Sequence, residues 1–394
     1  MKVRNYTTGI PGRKVVVAAL CLLVTGSVQA QQENNTKNNN KGGSGGAHIG
    51  FIYPVSTHGN QAGKSTNSFS FHVLGGLSLN ETGFTLSGLG SVIKGNASGA
   101  QFAGLLNNVQ GQASGAQLAG LYNYAKYNSG AQLAGLFNST QKSSGTQIAG
   151  FGNFSKGDSA NAGDLQLSGF LNLHQNVTAQ IGGFANKATN AEFQMAGFLN
   201  KGKDVNVQVA GFLNIAKKVK GVQVGFINIA DSNANPVGII NIVKGGEMGI
   251  RVSVDELGTP MLSFTSGGKN LYGALGVGFN SKTKNTMYAL EGVIGMHFDV
   301  SEFFRLHGEV VTTVLDDFKK GDFHRNSIRF FPAFRIGNQL EVFAGPSINF
   351  VSYDIASGKG DALVEHVFWS EKRNNGRFHG MYIGATGGIS WKLK

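Results

Sequence analysis

Between Ser98 and Asn241 the chain repeats one short alternation of polar and apolar positions, Gln-apolar-Ala-Gly-apolar-apolar-Asn. It stands first as Gln101 to Asn107, then as Gln117 to Asn123 and Gln132 to Asn138. Further copies begin at Gln147, Gln166, Gln180, Gln194 and Gln208, and shortened ones run from Gly225 to Asn228 and from Gly238 to Asn241. The period is about 13 to 16 residues, with a longer step before Gly169, and a fixed period signals stacked units. Helical hairpin repeats need about 30 residues or more. A glycine in every copy would also cost a helix about 1 kcal/mol each time. The pattern therefore predicts two short strands and two turns per copy, one flattened coil of a β-solenoid, with successive coils paired in parallel at roughly 4.8 Å. Phe102, Leu118, Leu133, Ile148, Leu167, Ile181, Met195 and Val209 are expected to stack as a continuous inner column. The closing Asn suits a turn and an amide ladder, and the Gln suits a second ladder.

After Lys244 the alternation lengthens. Tyr288, Leu290, Ile294, Met296 and Phe298 share one parity and Glu291, His297 and Asp299 the other. The same style runs through Phe304 to Val314, Ile328 to Ile336, Leu340 to Phe350 and Met381 to Leu393. With the shorter Met248 to Glu256, Pro260 to Thr265 and Asn270 to Phe279, this predicts about eight strands, a permitted barrel number. Several exceed the five or six residues of ordinary strands and reach the nine to eleven that a tilted membrane strand needs. The expected fold is all-β: a tandem-repeat β-solenoid over 82–245 followed by an antiparallel, outer-membrane type β-barrel over 246–394. Strands at 48–81 either complete the barrel or cap the coils.

Residues 1–30 read as a secretory signal: Lys2, Arg4, Arg13 and Lys14 precede the apolar run Val15 to Val24, and Val28-Gln29-Ala30 closes it. The only cysteine, Cys21, lies inside that segment. Residues 31–47, rich in Asn, Gly and Gln, read as a disordered linker. Of the formal charge of +12, much is thinly spread lysine, without the dense basic face of a nucleic-acid binder. The nine histidines show no ligand spacing, so no metal site is expected, and no cofactor motif is present. Arg305, His307 and Glu309 share the polar parity of one strand and are expected to point together into the barrel lumen. Phe368 and Trp369 sit in the longest irregular stretch, between Asp354 and Arg377, as a candidate surface contact or as a pair folded back onto the barrel rim.

With Tyr53-Pro-Val-Ser56, the leader, the tandem Gln-apolar-Ala-Gly-apolar-apolar-Asn copies and a β-rich end, the chain resembles bacterial surface-repeat outer-membrane proteins. That resemblance implies an exported, outer-membrane or cell-surface address and supplies no catalytic residues. The expected function is non-enzymatic, structural or adhesive, with outer-membrane lipid and a glycan or other envelope component as partners. The alternative is an exported solenoid enzyme acting on polysaccharide. It would need two carboxyl groups about 5 to 9.5 Å apart, for which Asp158 and Asp164, flanking the long step, are the candidates.

Overall fold

The computed structural model describes residues 46–157, 164–282, 286–319, 322–355, 360–364, 366–373 and 376–393. The expected leader at 1–30, nearly all of the expected linker at 31–47, and Asp158 lie outside the described residues. The chain divides into two compact units, one ending at Ala188 and one beginning at Thr189.

The first unit is a stack of coils in parallel register. Gln117 pairs with Gln132 and Gln132 with Gln147, while Asn123 pairs with Asn138 and Asn138 with Asn153. Strand Gly46–Ile52 pairs in parallel with Thr66–Ser78, which pairs in parallel with Asn80–Ser87 and Gly90–Ile93. The residues around 48–81 thus extend the coils and take no part in the barrel.

The coils are inverted relative to the sequence expectation. Gln101, Gln117, Gln132 and Gln147 are buried together with Asn107, Asn123, Asn138 and Asn153, and Ala119, Ala125 and Ala149 share that interior. The intervening residues Phe102, Leu118, Leu133, Ile148, Leu167, Ile181, Met195 and Val209 face outward, so the apolar inner column does not exist. A two-residue alternation fixes which residues share a face and leaves open which face is inside. Here the narrow coil decides, because Ala and amide side chains fit between two closely opposed strands and the amides bond along the stacking axis. Close approach also explains the repeat glycine: a Cβ on Gly120 or Gly135 would lie 2.1 Å from the carbonyl oxygen of Gly104 or Gly120 in the coil before.

The second unit holds further coils and the barrel. Asn190–Ala196 pairs with Asp204–Ala210, and Leu213–Val224, Ile227–Val237 and Ile240–Val243 follow in parallel register. From Met248 the ladders become antiparallel. Strands Met248–Asp255, Pro260–Gly267, Leu271–Asn280, Met287–Asp299, Phe304–Asp316, Asp322–Ile336, Leu340–Asp354 and Arg377–Lys392 form a closed eight-strand barrel, in which the last pairs back onto the first from Gly249 with Lys392 to Asp255 with Thr386. Closure removes both sheet edges. Connections at 268–270, 300–303 and 337–339 lie at one end, and the long connection 355–376 lies at the other.

The first two barrel strands are the shortest, eight residues each against 13 to 16 for the last five. The last coil docks on this low wall. Asn241 donates its backbone N–H to Ser266 Oγ at 2.8 Å. Gly273 and Gly238 meet so closely that a Cβ on Gly273 would lie 2.0 Å from the Gly238 carbonyl oxygen.

Candidate functional site

The barrel's polar parity points inward and its apolar parity outward. On strand Phe304–Asp316 the side chains of Arg305, His307 and Glu309 are all buried in the lumen, each on a partner from another strand or turn. Glu309 accepts from Arg251 and from the Tyr272 hydroxyl, both at 2.5 Å. His307 Nε2 lies 3.0 Å from Glu341, and its Nδ1 lies 3.0 Å from the Tyr272 hydroxyl. Arg305 reaches Glu247 at 2.9 Å and Asp299 at 2.7 Å, and Asp299 also accepts from Arg335. One layer further along, Arg329 pairs with Glu291 at 2.7 Å. Beyond it Arg325 pairs with Asp255 at 2.6 Å and with Glu256 at 3.3 Å, while Glu256 accepts the Tyr382 hydroxyl at 2.7 Å.

This network occupies the lumen with opposite charges in layers. At the end with the long connection, Met261, Met287, Leu315, Phe323, Tyr353, Leu363 and Phe378 form a buried apolar cluster across the opening. Leu363 comes from the short helix Gly360–Leu363 of the connection itself, so that segment folds back to seal the barrel. At the short-turn end a polar cavity of about 300 Å³ remains, lined by Glu247, Arg251, Tyr272, His297, Arg305 and Glu341 among others. Every carboxylate named here faces a guanidinium, an imidazole or a hydroxyl. The arrangement binds charge to charge across the lumen.

Sequence reasoning found one strand of this network and missed the rest. The missing members, Arg251, Tyr272, Glu291, Arg325, Arg329 and Glu341, lie on the same inward parity of other strands. The signal was register: Glu309 stands opposite Arg329 on the neighbouring strand. Phe368 and Trp369 are exposed, and Trp369 opens the short strand Trp369–Lys372, which pairs with the last barrel strand. The Trp369 ring stacks on Phe350 with centroids 6.4 Å apart.

The coil interior is a second polar construction. Asn107, Asn123, Asn138 and Asn153 each donate to the Oδ1 of the next Asn at 2.9–3.0 Å. Gln132, Gln147, Gln166 and Gln180 each donate to the Oε1 of the preceding Gln at 2.7–2.8 Å. In the second unit Asn200, Asn214 and Asn228 continue the same pattern on Asn214, Asn228 and Asn241. Asp164 lies within this interior, buried and 2.8 Å from the His174 imidazole. It is thereby withdrawn from any substrate reaching the coil surface. Among the described residues no cluster of His, Cys, Asp and Glu could hold a metal ion.

Outside, the coils carry an apolar edge. Leu105, Leu121, Leu136, Phe151, Phe170 and Phe184 are each exposed by 40% or more in the first unit. Phe198, Phe212 and Phe226 hold the same place in the second. Rings stack up the edge, Phe151 on Phe170 at 4.8 Å, Phe170 on Phe184 at 4.9 Å and Phe198 on Phe212 at 5.0 Å. No family model, curated protein or solved structure matches the chain.

Proposed function

We propose that the chain is a non-enzymatic outer-membrane protein in which the barrel is a sealed anchor and the repeat coils are the working, structural part. The observation that carries this reading is the barrel's inside-out partition. Leu262, Val277, Leu290, Val310, Ile328 and Ile383 are exposed on its outer wall, while paired Arg, Glu and Asp side chains fill its lumen. An apolar exterior on strands of 13 to 16 residues suits hydrocarbon, which a tilted strand of about nine to eleven residues crosses. A lumen closed by ion pairs and by an apolar cluster suits an anchor better than a channel.

Outer-membrane barrels ordinarily turn tightly on the periplasmic side and carry their longer loops outside. The chain reaches the barrel from the coils at the end of the tight turns, 268–270, 300–303 and 337–339. This favours an inward position for the coils and a structural role within the envelope over display toward other cells. The polysaccharide-enzyme reading draws no support from Asp164, which is buried against His174.

The test combines two measurements on the full chain. Detergent-free fractionation is expected to leave the protein in the membrane pellet after alkaline extraction, and purified protein in planar bilayers is expected to give no conductance steps. A soluble product overturns the anchor, and stable ion conduction overturns the sealed lumen.

A further inference from the structure

We infer that the outward apolar edge of the second unit's coils, Phe198, Phe212, Phe226 and Ile239, is a lipid-binding surface, seated in the hydrocarbon of the same bilayer that holds the barrel. The inference rests on the reading of the barrel as a membrane anchor. An edge that exposes one large apolar side chain per coil, coil after coil, far exceeds the scattered apolar residues of an ordinary soluble surface. Such an edge needs an occupant.

Continuity with the barrel wall identifies it. Ile239 holds in the last coil the place that Phe198, Phe212 and Phe226 hold in the coils before it. Its Cδ1 lies 3.4 Å from where a Cβ would stand on Gly292, an outward position in the middle of strand Met287–Asp299. The outward neighbours on either side of Gly292, Leu290 and Ile294, are exposed on the barrel's apolar wall. The row of Phe side chains therefore runs into the barrel at the depth of its lipid-facing surface, and the hydrocarbon that covers Leu290 and Ile294 meets the row next.

Charge agrees with this placement. The same coils of the second unit carry exposed Lys203, Lys217, Lys218 and Lys220, with Asp204 and Asp231 in register among them, on the stretch between one Phe position and the next. A body with an aromatic and aliphatic edge on one side and lysines on the other is the β counterpart of an interfacial amphipathic helix. Both coil and barrel keep their hydrogen-bonding side chains inside, in amide ladders or ion pairs, so neither carries an unsatisfied polar row into lipid at this edge.

The experiment places a nitroxide spin label, one at a time, on full-length protein reconstituted in phospholipid vesicles, in a Cys21→Ser background. Phe198→Cys, Phe212→Cys and Phe226→Cys sample the edge, Lys203→Cys and Lys217→Cys the opposite side, and Ile328→Cys the barrel wall. Collision with oxygen, which concentrates in hydrocarbon, is compared with collision with a water-soluble nickel chelate. Oxygen is expected to dominate at the three edge positions and at Ile328→Cys, and nickel at the two lysine positions. Nickel dominating at the edge while oxygen dominates at Ile328→Cys would overturn the inference and leave the anchor intact. Protection of the edge from both probes would also overturn it, since that marks a protein partner or a second copy. Nickel dominating at Ile328→Cys would remove the anchor and the inference together.

Discussion

The inverted coil makes a prediction that runs against ordinary core arithmetic: adding an apolar side chain to the interior destabilises, and adding a polar one to the exterior does not. In Asn138→Leu the change falls on a residue with no exposed surface. The Asn138 amide donates to Asn153 Oδ1 at 2.9 Å and to the Ile148 carbonyl at 2.8 Å, and its oxygen accepts from Asn123 at 3.0 Å. Leucine makes none of these bonds. Asn123 keeps its bonds to the Leu133 carbonyl at 2.7 Å and the Gln117 carbonyl at 3.3 Å, whereas Asn153 Oδ1 and the Ile148 carbonyl lose the Asn138 donor. Two buried groups orphaned at about 1–3 kcal/mol each cost about 2–6 kcal/mol. Burying leucine returns about 1.5–3 kcal/mol at most, so the middle of the two ranges leaves a net loss of about 2 kcal/mol. The companion Leu136→Asn, on the exposed edge, is expected to cost less than about 1 kcal/mol in detergent. Because stacked repeats respond mainly through neighbouring coils, hydrogen exchange across 116–153 is the assay. Faster exchange in Asn138→Leu with near-normal exchange in Leu136→Asn supports the inverted interior. The reverse ranking, which any apolar-cored solenoid would give, refutes it.

Gly135→Ala would set a Cβ 2.1 Å from the Gly120 carbonyl oxygen, an overlap expected to cost about 1–3 kcal/mol or more and to lower the melting temperature. An unchanged melting curve would reject the close glycine column. Arg329→Met leaves Glu291 buried without its 2.7 Å partner, for about 3–5 kcal/mol, and should lower the temperature at which the barrel loses its compact gel migration. No shift would mean that water, not arginine, satisfies Glu291. Burial, followed by the nearby His72 and His58, holds the His48 imidazole at about 4, below its ordinary 6.5. An unfolded chain therefore binds the extra proton first as pH falls, so His48 contributes stability fully above pH 6.5 and loses it between 6.5 and about 4. Hydrogen exchange of Gly46–Ile52 should accelerate through that window, and a His48→Gln variant should flatten the response.

The barrel strands were legible because their alternation is long. Phe304 to Val314, for example, was read within two residues of the observed Phe304–Asp316. An eight-strand barrel was expected from the number and length of these strands, whereas its seam, Gly249 with Lys392, joins residues at opposite ends of the domain and leaves no local trace. The coils show a different limit. Period and parallel stacking follow from the spacing of Gln, Gly and Asn, but the inward face was assigned to Leu118 and Leu133 because apolar residues are inside by default. The correcting signal lay in Ala119 and Ala134, which share parity with Gln117 and Gln132: small residues beside amides mark a thin interior, whereas large aliphatic ones mark a surface. In the lumen Arg305, His307 and Glu309 were visible as one polar row. Their partners Glu247, Glu341 and Arg251 lie on other strands and turns, where only register could join them.

The two architectures share one solution to one problem. A segment that meets hydrocarbon must bond all its polar groups internally. The barrel does so with a closed ladder and with guanidinium-carboxylate layers such as Arg329 with Glu291. The coils do so with parallel ladders and with amide columns such as Asn200, Asn214 and Asn228. An amide column suits a repeat better than ion pairs would, because each Asn is donor and acceptor at once and stacks on its own copy without alternating charge. Identical residues can therefore recur in every coil, which leaves the outward position free to be apolar throughout. Were the interior apolar instead, stacking order would rest on shape alone. The inverted interior is thus what allows a repeat protein to keep a greasy edge and a single register together.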